Sequence, residues 1–392
     1  MQKILVITKQ TTNGGGFKSS LEFTNALKLS VNNKVELFTE KKACENKFTF
    51  LKISIFNAIN KYIKIFFRNK NREITSTIPQ VFRFLNHKKY SHNIILIHYI
   101  YEFLSLRDVI LFKKPILIFI NDMWFFGGIK HFFPSSLLKK PKINIINFFK
   151  IIDYISWLFK KKYLSKKKEI VFIASSEWLK KKALKSDMLK NYNIEKINTP
   201  VNTKFWKKIN KKEARSKLNL PVNKKLILFV AKDGLKNYRK GGDIFLKIIN
   251  SYKHESNLNF LILGQKKENT HKGVFFYDFQ SDEKKLRDLY NSADLVICLS
   301  RYENIPYSTL ESMSCGIPNI SFDVGGMKEA IRHKKNGIIL KNFSEKSVKN
   351  SISWCLSKNN YYNLSKNSIK HIQKEFSYEK ILKDYNKIQK QI

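Results

Sequence analysis

The chain has 392 residues, 43% of them hydrophobic, which is too long for one typical domain and enough to fill two ordinary cores. Its formal net charge of +43 has three candidate sources: nucleic acid, an anionic membrane surface, or the Lys-, Asn- and Ile-rich usage of an AT-rich genome. Nucleic acid is argued against by the lack of a helix-turn-helix, zinc-finger or ribonucleoprotein motif, and an integral membrane protein by the lack of an apolar run near the ~20 residues a spanning helix needs.

The opening MQKILVITKQ is too short and too charged to read as a signal peptide. Residues 3–8 form a short apolar strand, followed by Gly14-Gly15-Gly16 and a helical stretch from 17 to about 30. Such a glycine run lets backbone approach a ligand, but without the full Gly-x-Gly-x-x-Gly spacing it is equally a plain tight turn. Residues 34–39 alternate as a second strand.

Between 41 and 92 the rhythm changes. Leu51, Ile55, Ala58, Ile59, Tyr62, Ile63 and Phe66 fall on one stripe at helical spacing, with Lys47, Lys52, Lys61, Lys64, Arg68, Lys70 and Arg72 beside or after it. Such a helix either lies in a membrane interface or buries its stripe against a sheet with its lysines in water. Residues 93–98, 115–120 and 169–175 are buried-type strands, and a second basic cluster runs through 139–168. The pattern restarts at 225–231, after a boundary near 198–222. Strands follow at 259–264, 274–277 and 295–300, with a helix at 282–293 capped by Asp282 and a helical tail from about 344. Strands alternating with helices predict the α/β class, with parallel sheets covered on both faces. Cys44, Cys298, Cys315 and Cys355 are scattered, without metal-ligand spacing, and read as reduced thiols of a cytoplasmic protein.

The segment ENIPYSTLE (303–311) is the most informative. Pro306 suits the first helical position, and Gly316 with Pro318 marks the helix stop. Glu303 therefore falls in the loop at a strand's carboxyl end, and Glu311 falls within the helix that follows. Ligands bind at that edge of open α/β sheets, and a helix start favours a phosphate. Carboxylates that accept sugar hydroxyls, beside amides that accept an anion, suit a nucleotide-sugar. Arg239-Lys240-Gly241 likewise follows the first strand of the second half, where cations stabilise a departing diphosphate.

Residues 303–340 resemble the retaining glycosyltransferases of family 4. The ordered marks are Glu, seven residues, Glu, then Gly-x-Pro, a strand, Gly-Gly and Asn-Gly. The Lys240-Gly241 pair, the stretch 98–128, SSEWLKKKAL (175–184) and TPVNTKFW (199–206) carry further family marks. The resemblance implies a GT-B fold: two Rossmann-like, doubly wound parallel-sheet domains facing a central cleft. It implies an acceptor-side domain over 1–198, completed by a helix at about 376–392, a linker at 199–222 and a nucleotide-sugar domain at 223–375.

The implied activity moves a sugar from a nucleotide-sugar to an acceptor hydroxyl with retention. Glu303, Lys240, Arg239 and Asp122 are the implied catalytic residues, and Glu311, Asn304, Ile305, Tyr307, Gly15 and Gly16 the donor-binding ones. His98, Asn121 and Trp124 fall on the acceptor side. Asn121 departs from the subset of the family that this stretch resembles, which usually has His there, and Asn cannot titrate near neutrality. No Asp-x-Asp occurs, so the expected diphosphate site uses Lys240 and a helix start without a metal or other cofactor. The expected partners are the donor and a glycan or lipid-linked glycan, with an anionic membrane surface as a further one and no nucleic acid. Surface-polysaccharide, lipopolysaccharide or capsule assembly at the inner face of the cell membrane fits these expectations. The alternative is a sugar-nucleotide-binding or scaffold protein whose active site has lapsed.

Overall fold

Six short runs in each half pair only with parallel neighbours in the computed structural model of the chain, which describes every residue except 11–14, 67–77, 84, 134–137, 140–147, 256, 267–271 and 343. The described residues divide into two units, Met1–Pro200 with Ile381–Ile392, and Val201–Lys380.

The first unit holds β1 (Gln2–Thr8), β2 (Asn33–Thr39), β3 (Ile94–Ile97), β4 (Ile116–Ile120), β5 (Ile170–Ala174) and β6 (Asn193–Lys196), in the order β2-β1-β3-β4-β5-β6. All but β6 were legible, β2 by alternation and the others as apolar runs. β6 reads Asn-Ile-Glu-Lys and is an edge strand bonded only to β5, so one side of it carries polar groups such as Glu195, paired with Lys180 at 3.4 Å. Winding turns back at the β1–β3 pair, so the loops after Thr8 and after Ile97 emerge side by side. Among the described residues no helix is long and apolar enough to cross a membrane.

The second unit holds β7 (Lys225–Val230), β8 (Leu258–Leu263), β9 (Val274–Tyr277), β10 (Leu295–Cys298), β11 (Asn319–Phe322) and β12 (Gly337–Leu340), ordered β12-β11-β10-β7-β8-β9. Alternate side chains of β7 enter separate cores: Leu226 and Leu228 on one face, Ile227 and Phe229 on the other. Each such burial is worth roughly 1.5–3 kcal/mol before chain entropy is counted. The reversal falls at the β7–β10 pair, registered Leu295↔Ile227 to Ile297↔Phe229. That register sets the loop after Val230 beside the loop after Cys298.

Residues 201–222 are not a free connection. They pack into the second unit through buried Trp206 and through Arg215 in the helix Lys211–Lys217. The Arg215 guanidinium binds Asp294 at 2.7 Å and the carbonyls of Ser292, Val222 and Lys224 at 2.7–2.9 Å. Planar multidentate donors of this kind hold a chain segment in place.

Candidate active site

Two loops of the second unit build a cation–carboxylate cluster. The first runs from Val230 to the helix Gly242–Ser251. Asn237 braces it, accepting from the Lys240 amide at 3.0 Å and donating to the Lys232 carbonyl at 2.8 Å. Gly241 caps the helix at φ +79°, and a Cβ there would come within 2.3 Å of the Leu299 carbonyl oxygen of the second loop. The two loops are thus in backbone contact, reinforced by the Arg301 amide donating to the Arg239 carbonyl at 2.8 Å. Arg301 adds a fork of two 2.8 Å bonds to Asp243 and lies over the Tyr238 ring.

Glu303 sits where the loops meet. Its Oε2 accepts from Lys240 Nζ, and from Arg239 at 3.2 Å. Burial pushes this carboxyl up, but Lys240 and Arg239 outweigh it and hold the pKa at about 2. Oε1 accepts from the Asn304 amide at 3.3 Å. The Gly325-Gly326 pair buttresses this loop. Gly325, at φ +57°, would place a Cβ 1.7 Å from the Glu303 carbonyl oxygen, and the Gly326 amide donates to the Asn304 carbonyl at 3.2 Å.

Pro306 stands at the N-cap of the helix Tyr307–Ser314, so the helix starts one residue later than the sequence suggested. The stop is as expected: Gly316 adopts φ +79°, and its amide and that of Ile317 close back on Met313 and Ser312. Asn304 is buried, the Ile305 side chain packs into the core, and Tyr307 packs against the same core. Glu311 is 1% exposed, and its Oε2 accepts from the Tyr290 hydroxyl at 2.9 Å. Burial, with Glu311 beside it, raises the Tyr290 phenol well above its ordinary pKa.

The sites expected in the first half are distributed differently. Gly14 lies outside the described residues. Gly15 and Gly16 open the helix Gly15–Leu27, and Gly16 lies against the Tyr99 ring, where a Cβ would come within 2.5 Å. His98, expected to face an acceptor, is wholly buried. Its ring stacks on Phe119 at 4.2 Å, with Phe23 at 5.4 Å, and burial lowers its pKa to about 3. Among the described residues neither of its ring nitrogens has a hydrogen-bond partner. Trp124 is also core: its ring meets Tyr101, and Lys160 Nζ lies 4.1 Å from its centroid.

Asn121 accepts from Ser19 at 3.3 Å. Asp122 is the hub of its neighbourhood, accepting from Tyr101 at 2.5 Å and the Trp124 amide at 2.9 Å, with His131 Nδ1 2.6 Å from Oδ2. Neither Tyr101 nor His131 was legible, because no fixed spacing ties either to Asp122. Lys9 and Glu102 also meet, at 2.8 Å, where the loops after β1 and β3 emerge. The structure therefore brings Arg239, Lys240, Glu303 and Asn304 together in the second unit, while in the first it gathers Asp122 with two residues the sequence did not announce. Among the described residues no group of three or more His, Cys, Asp or Glu is arranged to hold a metal ion.

Comparison with known proteins adds the decisive observation. The family model for glycosyl transferases group 1 matches residues 210–374, the stretch that contains both loops. Residues 210–374 thus resemble a glycosyl transferases group 1 domain. An uncharacterised glycosyltransferase of Methanocaldococcus jannaschii is 31% identical over 150 residues, 35% of this chain and 36% of that protein. A D-inositol 3-phosphate glycosyltransferase of Thermobispora bispora is 25% identical over 164 residues, 37% of this chain and 38% of its own. These matches span little more than a third of the relatives' length.

Across the whole chain the likeness is one of fold. Sucrose-phosphate synthase from Thermosynechococcus elongatus superposes with a TM-score of 0.66 at 16% identity, covering 100% of this chain and 99% of that one. An Anabaena protein solved in complex with UDP-glucose gives 0.63 at 13%, covering 100% of both. The matched stretch thus belongs to a chain with a GT-B fold of two Rossmann-like sheets.

Proposed function

We propose that the protein transfers a sugar from a nucleoside-diphosphate sugar to an acceptor hydroxyl with retention of configuration. The observation that carries this reading is the placement of Lys240 and Arg239 on Glu303 at the β7–β10 reversal of the second unit. A donor diphosphate competes with the Glu303 carboxylate for the same two cations. Its arrival frees Glu303 to meet the donor sugar's hydroxyls, while Lys240 and Arg239 neutralise charge that builds on the leaving diphosphate. The first turns of the helices Gly242–Ser251 and Tyr307–Ser314 add backbone donors. Glu311, with one oxygen held by Tyr290, takes the ribose, and Asn304, Ile305 and Tyr307 shape the pocket through backbone and side chain.

The first unit supplies the acceptor side in this reading, through Asn121 and the Asp122 cluster; His98 and Trp124 support it from the core. The acceptor is a glycan or lipid-linked glycan, and the setting is surface-polysaccharide assembly on the cytoplasmic face of an anionic membrane. The reaction draws its positive charge from side chains and uses no metal.

The test is release of nucleoside diphosphate from UDP-, GDP- and ADP-activated sugars, with and without a chelator. Turnover with one of them should persist under chelation and fall about 10²–10³-fold in Glu303→Ala. Undiminished turnover in that variant would overturn the assignment of Glu303. The lapsed-site alternative predicts nucleotide binding with no turnover in either protein.

A further inference from the structure

The helix Lys47–Phe66 carries two apolar faces, and the fold uses one. Ile53 and Phe56 point into the core of the first unit, and buried Asn60 between the same turns binds Glu102. On the far side, at spacings of three and four residues, Phe48 is 75% exposed, Leu51 55%, Ile55 45%, Ile59 46% and Tyr62 76%. These side chains share one face of an α-helix. The outward face is largely the stripe that the sequence assigns either to a membrane interface or to burial against a sheet. A run of large apolar groups at such exposure marks a docking surface rather than scattered surface residues.

Charge selects the occupant. Residues 46–72 contain seven basic residues and no acidic one. Lys47 and Lys52 flank the stripe on either side of the helix, and Lys61 is exposed on the following turn. The most exposed members, Phe48 and Tyr62, are aromatic and stand at the two ends of the stripe. Apolar and aromatic groups in a row, rimmed by lysines and free of carboxylates, match the interface of a bilayer with anionic headgroups.

We propose that this face of the helix lies in the interface of an anionic lipid bilayer, with Leu51, Ile55 and Ile59 among the acyl chains and the lysines at headgroup level. The inference deepens the membrane setting given above and rests on it for its occupant, while donor binding belongs to the other unit.

The experiment is co-sedimentation of the full chain with phosphatidylcholine vesicles, with and without phosphatidylglycerol. Wild-type protein should bind the anionic vesicles, and Leu51→Ser/Ile55→Ser/Ile59→Ser should bind them roughly tenfold or more weakly. Phe48→Ser/Tyr62→Ser changes only the most exposed positions and should weaken binding in the same direction with an unchanged thermal midpoint. Equal binding by wild type and both variants would overturn the proposal. So would a wild-type dimer that these substitutions dissolve without affecting sedimentation, since a second copy would then cover the stripe. Nucleoside-diphosphate binding is measured in parallel. A chain that binds vesicles but no nucleotide supports this inference and contradicts the donor reading.

Discussion

Glu303 shows how neighbours override burial at a single residue. Its carboxyl is largely withdrawn from water, which alone would favour the neutral acid, yet Lys240 and Arg239 keep it ionised. Because its folded pKa lies below the unfolded value, the stability it contributes is complete above pH 4.5 and is lost as pH falls toward 2. Lys160 shows the opposite balance. The sequence sets it in a run of surface-like lysines, but it is wholly buried, with Nζ donating to the Trp124 carbonyl and, at 2.6 Å, to that of Gly128. Burial lowers its pKa to about 7, despite Asp153 and Asp122. The unfolded chain then holds more protons than the folded one between pH 7 and 10.5, so this residue makes stability rise with pH across that window. Relative to Lys160→Met, the wild-type unfolding free energy should climb by about 1 kcal/mol per pH unit from pH 7 to 10. It should run parallel to the variant below pH 6. Chemical denaturation of both proteins at several pH values checks this, and parallel curves throughout would contradict it. Neither behaviour was legible from residue type, since both depend on partners distant in sequence.

Among the elements, the strands were the most legible part, because buried parallel strands read as apolar runs such as Ile94–Ile97 and Ile116–Ile120. β6 escaped because an edge strand needs no such run. The helix Lys47–Phe66 was legible in existence but not in orientation, since both of its faces are apolar and only packing selects which is buried. The candidate site was legible through spacing at Lys240, Glu303 and Glu311, and through the Gly-Gly pair as a family mark. What the pair does required coordinates: Gly325 touches the Glu303 carbonyl at a φ that ordinary side chains avoid. Gly325→Ala should therefore displace the Glu303 loop. We expect a cost of about 1–3 kcal/mol in stability and a loss of turnover of tenfold or more, on the order of a 1 Å misplacement. Retained turnover at wild-type stability would show that the loop does not depend on this contact.

At the level of the whole molecule, each unit reverses its winding at a central pair of strands, β1–β3 in the first and β7–β10 in the second. Both reversals set chemistry-bearing loops side by side, Lys9 with Glu102 and Lys240 with Glu303. The same topology thus generates a polar cluster twice, and the two differ in what the loops carry. The segment 201–222, which sequence reading treats as a connection, is stitched to the second unit by Arg215 and Asp294, so the chain enters that unit earlier than composition suggests. Partners 79 positions apart leave no local signal of such a bond.

The most direct measurement for this molecule is calorimetric titration of UDP, GDP and ADP, and of their sugar conjugates, into wild-type protein and Lys240→Ala. Removing a partly buried cation that meets a diphosphate should weaken the preferred nucleoside diphosphate by roughly 2–5 kcal/mol. The wild-type fold should gain about 2.7 kcal/mol at a ligand concentration of 100 Kd. Equal affinity for both proteins, or no affinity of the wild type for any of these nucleotides, would contradict the assignment of the Arg239–Lys240–Glu303 cluster as the donor site.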